Sequence, residues 1–493
     1  MQNQTIFQFF HWYYSTEGNL WQYAREEAGR LQSLGVTQVW LPPAYKSAFG
    51  TGEPGYAVYD LYDLGEFDQK GSVRTRWGTL DEYLDAIQSF HDNNIKVLAD
   101  IVLNHRTGAD ETEKIVVLDI DKSERTKFIS EPYEKDACTR YTFPGRRGMY
   151  SEFVWDHQCF TGISEDDQIS MIKNEYFTGE WEPVMETEHG NYDYLLGNDL
   201  EFRNPHVREE LIRWGIWYVE KAGLDGFRLD AVKHMVPDFY NQWLDALNNH
   251  FQQKLLCIGE YWKSDVEPLK NYIEATGGRV QLFDAPLHFN FHEASRQGES
   301  YALNEILDGS LVKERPELAI TFVENHDTQP LQDLESPVEA WFKPLAYAII
   351  LLRQEGTPCV FFPDLYGAQY VDNSEGQEHF IDLPALPVVG TMMTVRKERA
   401  YGVQTDYIDH HTVIGWTRAG VEEYPHSGCA VVISNGQEGF KRMSMGPANA
   451  GKKMIEACGS RQEEIILDEH GEADFHVNAG SVSVWIFDRP SAE

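Results

Sequence analysis

Apolar residues in this chain gather into short continuous runs instead of alternating with polar ones. TIFQFFHWY (5–13) opens the series. TQVWLPPAY (37–45), IKVLADIVLNH (95–105), LDGFRLDAVKH (224–234), LLCIGEYW (255–262), VQLFDAP (280–286), LAITFVENHD (318–327) and TPCVFFPD (357–364) follow. An unbroken run suits a strand buried on both faces, as in a parallel sheet. Helical spacing lies between runs. Tyr83, Leu84, Ile87 and Phe90 share one face before the 95–105 run; Val207, Leu211, Trp214 and Tyr218 do so before the 224–234 run. Eight runs alternating with helices predict a (β/α)8 TIM barrel.

Two segments break the alternation. Residues 106–206 are rich in acids, glycine and aromatics, and a stretch that long is expected to fold as a small inserted domain after the third strand. Beyond 395 the helical spacing disappears. HTVIGWTRAG (411–420), CAVVISNG (429–436) and SVSVWIFDR (481–489) predict a C-terminal antiparallel β-sandwich. The expected division is a barrel of residues 1–105 and 207–394, an insertion of 106–206 and a β-domain of 395–493.

Composition narrows the partners. Of 493 residues, 79 are acidic and 42 basic, a formal net charge of −37. With no basic stripe, the chain is a poor match for nucleic acid or for an anionic membrane surface. The longest apolar stretch, LAYAIILL (345–352), stops at Arg353, well short of the ~18 residues of a membrane span. The N-terminus, MQNQTIFQFFHWYY, has neither a basic segment nor a small-residue cleavage site, so it does not read as a signal peptide. The six cysteines form no CxxC pair and read as buried, reduced thiols of a cytoplasmic protein. Aromatics at 13% fit either bulky core packing or the flat walls of a sugar cleft.

Catalytic groups of a barrel stand at the C-terminal ends of its strands. The polar ends of the runs supply Asp100, Asn104 and His105; Arg228, Asp230, Lys233 and His234; Glu260; and Glu324, His326 and Asp327. One charged residue at a strand end is ordinarily just solvated. Four such ends bearing acids and histidines are the informative pattern. Asp230 and Glu260 lie 30 residues apart, about one βα repeat, which places them on neighbouring strands. Two facing carboxyls suit an acetal: one attacks the anomeric carbon while the other protonates the leaving oxygen. Arg228 is expected to favour ionised Asp230, and a less polar pocket to keep Glu260 protonated.

DIVLNH (100–105), GFRLDAVKH (226–234), GEYW (259–262) and FVENHD (322–327), in that order, resemble the four signatures of the α-amylase family, glycoside hydrolase family 13. GYAVYDLYDLGEFDQKGSVRTRWGT (55–79) and the Asn-Tyr-Asp-Tyr segment at 191 resemble its bacterial liquefying branch. QFFHWYY and AGSVSVWIFDR (479–489) are most similar to intracellular bacterial α-amylases. The resemblance runs over essentially the whole chain. It implies a retaining, endo-acting enzyme on α-1,4-glucans such as starch, glycogen and maltodextrins, acting as a monomer. Asp230 would be the nucleophile, Glu260 the general acid and base, and Asp327 the stabiliser of the transition state. Arg228 would orient Asp230; His105, His326 and Tyr56 would hold the sugar at the cleavage point; Lys233, His234 and Trp262 would line the leaving-group side. The resemblance also implies a structural calcium held by Asn104, Asp193, Asp199 and the His234 carbonyl. Thr161, Glu182 and Glu201 stand where multi-ion relatives carry aspartates, so one calcium is expected and a second calcium or sodium is left open. Two alternatives stay beside this reading: a transglycosylating or exo-acting enzyme on the same site, and a non-catalytic glucan-binding homologue.

Overall fold

The computed structural model describes residues 3–372 and 376–488. Eight parallel strands close into a barrel in strictly sequential order. They are β1 (Ile6–Gln8), β2 (Gln38–Leu41), β3 (Lys96–Ile101), β4 (Gly226–Leu229), β5 (Leu256–Gly259), β6 (Gln281–Phe283), β7 (Ala319–Phe322) and β8 (Thr357–Phe361). Each falls inside one of the eight apolar runs. The longer helices between and after them are α1 (Leu20–Ser33), α2 (Leu80–Asp92), α3 (Pro205–Ala222), α4 (Pro237–Phe251), α5 (Val266–Ala275), α6 (Ala285–Gln297), α7 (Lys343–Leu352) and α8 (Pro387–Glu398).

Local chemistry sets the helix ends. Thr79 and Glu82 form a reciprocal capping box at the start of α2, satisfying N–H groups that the helix cannot. Helix α3 starts with Asn204 capping the His206 N–H and Pro205 in the first turn; it stops at Gly223, whose φ of +73° a side chain would resist. Tyr83, Ile87 and Phe90 of α2 are buried, as are Val207, Leu211, Trp214 and Tyr218 of α3; Leu84 is only half-buried, at the edge of its face. Helix α7 is apolar on nearly every side because it lies between the barrel and the strands Cys429–Ser434 and Ser481–Phe487. That position accounts for LAYAIILL. Among the described residues no helix is long and apolar enough to cross a membrane.

The insertion contributes a six-stranded sheet in the order His105–Arg106, Asn198–Leu200, Phe160–Glu165, Gln168–Ile172, Glu111–Asp119, Tyr133–Arg140. It starts from His105, so one short strand belongs to the barrel mouth and to the insertion at once. C-terminal to α8, an antiparallel six-stranded sheet and a two-stranded one enclose a second core around Met443, Met454, Phe475 and Trp485. Arg489, the last residue of the closing apolar run, lies outside the described residues. The cysteines depart in part from expectation: Cys159, Cys257, Cys359 and Cys429 are buried, Cys458 is half-buried, and Cys138 is exposed on the strand Tyr133–Arg140. A strand alternates sides, and Cys138 falls on the outward one.

Candidate active site

Strand register assembles the centre. Asp100 pairs with Arg228 across β3 and β4, and Arg228 pairs with Ile258 across β4 and β5. Residues two apart on a strand share a face. Asp230 therefore follows Arg228, and Glu260 follows Ile258, on one side of adjacent strands. The ladder carries on past the strand ends through Asp230 N to Ile101 O (2.9 Å) and Glu260 N to Leu229 O (3.0 Å). Gly226 is required by the close approach of β4 to β5, since a Cβ there would lie 2.0 Å from Leu256 O.

The Arg228 guanidinium, wholly buried, is the hub. Its Nη1 donates to Asp100 Oδ1 (3.0 Å) and Asp230 Oδ1 (2.5 Å), and its Nη2 to Glu260 Oε2 (2.9 Å). Asp100 is held further by Trp40 Nε1 (3.0 Å) and the Tyr56 hydroxyl (2.8 Å). Ala231 N donates to Glu260 Oε2 (3.1 Å), and Ala231 adopts φ +48° to do so. A left-handed alanine stores strain of about 1 kcal/mol, kept here at the point where it aims an N–H at a carboxylate.

One guanidinium faces more negative charge than it can balance. Burial pushes Asp230 up to about 6, against the opposing pull of Arg228 and with help from Asp100. Arg228 does favour ionised Asp230, as the sequence suggested, but loss of hydration outweighs the ion pair. Burial also raises Glu260, as expected, with Asp230 adding repulsion. Asp327 is driven well above the carboxylate range by burial and then by Glu260. Carboxyls so placed cannot all ionise near neutrality, and the group retains a proton.

Histidines and aromatics wall the centre. Gln8 Nε2 donates to His326 Nδ1 (3.1 Å), which leaves the ring proton on Nε2, 3.3 Å from Asp327 Oδ2. Burial and Arg228 hold His326 well below the usual histidine value, so it is neutral. Tyr56 stacks on His326 (5.2 Å between centroids) and on Trp12 (5.5 Å). His105 Nε2 donates to Tyr56 O (2.9 Å), and burial lowers its pKa to about 4. Lys233 Nζ reaches Trp262 O (3.4 Å), and the Trp262 ring packs against His288, Phe289 and Phe322. His234 Nδ1 donates to Tyr192 O of the insertion (2.6 Å), so its ring ties insertion to barrel. Gln8, Trp12, Trp40 and Asp100 were not assigned roles from sequence. Their signal was present in the strand-end positions of β1, β2 and β3.

The predicted metal ligands also converge. Asn104, Asp193 and Asp199 are buried, and Asn104 Nδ2 lies 3.3 Å from Asp199 Oδ1. Asp193 and Asp199 make no ion pair among the described residues, and burial raises both well above the carboxylate range, with mutual repulsion next for Asp193. Buried acids without cations are the donor chemistry that a hard cation satisfies. No three or more His, Cys, Asp or Glu side chains are pre-arranged as a metal cage among the described residues; the remaining donors here are an amide and a backbone carbonyl. Thr161 Oγ1 bonds Asp199, whereas Glu182 and Glu201 are bonded by the backbone and side chain of Arg203.

Comparison with known proteins agrees with this geometry. The family profile described as alpha amylase, catalytic domain, matches residues 26–380. The chain is 47% identical to the cytoplasmic alpha-amylase of Escherichia coli K12, over 99% of each chain. It is 45% identical to the alpha-amylase of Geobacillus stearothermophilus, over 98% of this chain and 87% of that one. It is 40% identical to the glucan 1,4-alpha-maltohexaosidase of Bacillus sp. strain 707, over 98% and 92%. The crystal structure of the alpha-amylase from Geobacillus thermoleovorans with acarbose superposes at a TM-score of 0.65, at 17% identity and 99% coverage of both chains, a likeness of fold. By its carboxylates at the barrel mouth, by the family profile and by full-length relatives, the chain belongs to the alpha-amylase family.

Proposed function

We propose that this protein is a retaining α-amylase that hydrolyses internal α-1,4-glucosidic bonds of starch, glycogen and maltodextrins. The observation that carries the reading is the bridging of Asp230 and Glu260 by the two terminal nitrogens of Arg228. A shared guanidinium supports the short carboxyl spacing, ~5 Å, of a retaining pair. Asp230, ionised, attacks the anomeric carbon. Glu260, holding the retained proton, gives it to the leaving glycosidic oxygen and then takes a proton from the water that hydrolyses the glycosyl-enzyme. Asp327 and His326 bind sugar hydroxyls and favour the oxocarbenium-like state, and His105 and Tyr56 complete that wall. Lys233, His234 and Trp262 form the leaving-group side.

We read Asn104, Asp193, Asp199 and the His234 carbonyl as the ligands of a structural calcium. When bound, it supplies a divalent charge between insertion and barrel. The division into barrel (1–105 and 207–394), insertion (106–206) and β-domain (395–493) is part of the same reading, with α8 carrying the last boundary to Glu398. The relative named cytoplasmic supports a cytoplasmic location, and the protein is read as a monomer acting on glucan.

Glu260→Gln is the deciding variant: loss of hydrolysis of roughly 10³-fold or more is expected, and a surviving rate refutes the assignment. Products from maltoheptaose over time separate the alternatives. A spread of shorter products marks endo-hydrolysis, early oligomers longer than the substrate mark transglycosylation, and one fixed short product marks the exo reading that the maltohexaosidase relative brings in. The intact Asp230, Glu260 and Asp327 speak against a purely binding homologue.

A further inference from the structure

The insertion buries four carboxylates, Glu182, Asp193, Asp199 and Glu201, none more than 3% exposed. Such a group costs several kcal/mol per ion unless positive charge is brought to it. Two guanidiniums supply some. Arg125 acts on Asp199 and makes no ion pair among the described residues. Arg203 grips Glu201 as a fork, Nε to Oε1 at 2.6 Å and Nη2 to Oε2 at 2.7 Å. Its Nη1 is pinned by Thr178 Oγ1 (2.7 Å) and Glu180 O (3.1 Å).

Glu201 is saturated by these contacts. Oε1 also accepts Arg203 N (3.0 Å), and Oε2 accepts Asn174 Nδ2 (3.4 Å), so each oxygen has two donors, the most its lone pairs serve. Glu182 Oε1 takes the N–H groups of Phe202 (2.5 Å) and Arg203 (3.2 Å). Asp193 and Asp199 lack any comparable cation. The donors of Arg203 and of the 202–203 backbone are thus spent on Glu201 and Glu182, and Asp193 and Asp199 are the pair left without a guanidinium fork.

We infer that Arg203 is a built-in counter-ion for the Glu182–Glu201 half of this cluster, so that this half takes no metal and the insertion binds a single divalent cation beside Asp193 and Asp199. The inference rests on the calcium reading above and deepens it by fixing the number of ions. It also names the residue that sets that number.

The test is calcium content per chain of the full-length protein, measured by elemental analysis after equilibration in sodium-free calcium buffer and desalting. Wild type is expected to hold one calcium. Arg203→Gln, which frees Glu201 and leaves a negative charge unbalanced, is expected to hold two. Arg203→Lys, which keeps the charge, and Glu201→Gln with Arg203→Gln, which removes both charges together, are expected to stay at one. Two calcium ions in wild type overturn the counter-ion role and leave the calcium reading standing; none in wild type overturns the calcium reading itself. A folded Arg203→Gln protein with one calcium also overturns the counter-ion role. Should Arg203→Gln not fold, the wild-type count and the double variant carry the test: two ions in either is an overturning result, and one in both supports the assignment.

Discussion

Arg228 Nη2 donates to Glu260 Oε2 at 2.9 Å while Nη1 of the same guanidinium holds Asp230 at 2.5 Å. Asp230 and Glu260 are thereby positioned by one rigid planar group. Lysine is a point charge on a flexible stem and cannot span both. Arg228→Lys is expected to lower kcat by roughly 10²–10³-fold, the scale for loss of one preorganised donor. Steady-state kinetics on a maltooligosaccharide check this, and a loss under tenfold would count against the bridging role.

Asp230 titrates at about 6 in the folded protein, above the ~3.9 of an unfolded aspartate. The folded state therefore binds this proton more tightly. Ionising Asp230 costs stability that is absent below about pH 4, grows with rising pH and is complete above about pH 6. Asp230→Asn should raise thermal stability at pH 7–8, by on the order of 2 kcal/mol, and the gain should vanish toward pH 4. A gain that ignores pH would contradict the assignment. The same group should set an acid limb near pH 6 in the kcat/KM profile of the wild type.

Glu324, three residues before Asp327, is joined by Lys343 Nζ (2.8 Å) to Asp364 (2.8 Å), and Tyr347 donates to the other oxygen of Asp364 (2.6 Å). Glu324 Oε1 also accepts Val338 N (2.7 Å), closing the loop that follows Asp327. Lys343→Met would leave two buried carboxylates unpaired, at a cost of about 3–5 kcal/mol. Urea unfolding measures the loss, and kcat should fall as the Asp327 loop loosens. An unchanged unfolding midpoint would show that the network carries no such load.

Chelation by EDTA should lower both thermal stability and activity, and added calcium should restore both. Calcium at ~100 times its dissociation constant would contribute about 2.7 kcal/mol to the folded state. Calorimetry with and without EDTA is the measurement; no change after prolonged dialysis would remove the site.

Trp12 stacks on Tyr56 at 14° and on His326 at 11°. Aromatic pairs of this kind are worth about 0.5–1.5 kcal/mol beyond area burial. Trp12→Ala should loosen the Tyr56 wall and raise KM by roughly two- to tenfold, with kcat less affected. A KM unaltered by the substitution would assign Trp12 to packing alone.

The barrel was legible because each strand is buried on both faces and so appears as an unbroken apolar run. The reactive residues were legible because a barrel places them at the ends of those runs. Strand-end position brought Asp230 and Glu260 together, the family resemblance pointed to Asp327 and to Asp193 and Asp199 of the insertion, and in that way the groups could be named. Their protonation could not. It depends on how many carboxyls share one guanidinium and how much water remains, and Asp230 went up because burial outweighs the downward pull that Arg228 exerts. Arg203, two residues from Glu201 in the chain, supplies three of its four donors. Folding adds Asn174 as the fourth and buries Glu201 in a cluster with Glu182, Asp193 and Asp199. Sequence determined which groups the chain carries and on which strand ends, since that follows from local hydrophobic patterning. Tertiary structure decided their charge and partners, because desolvation and Coulomb energy depend on distances between residues far apart in the chain.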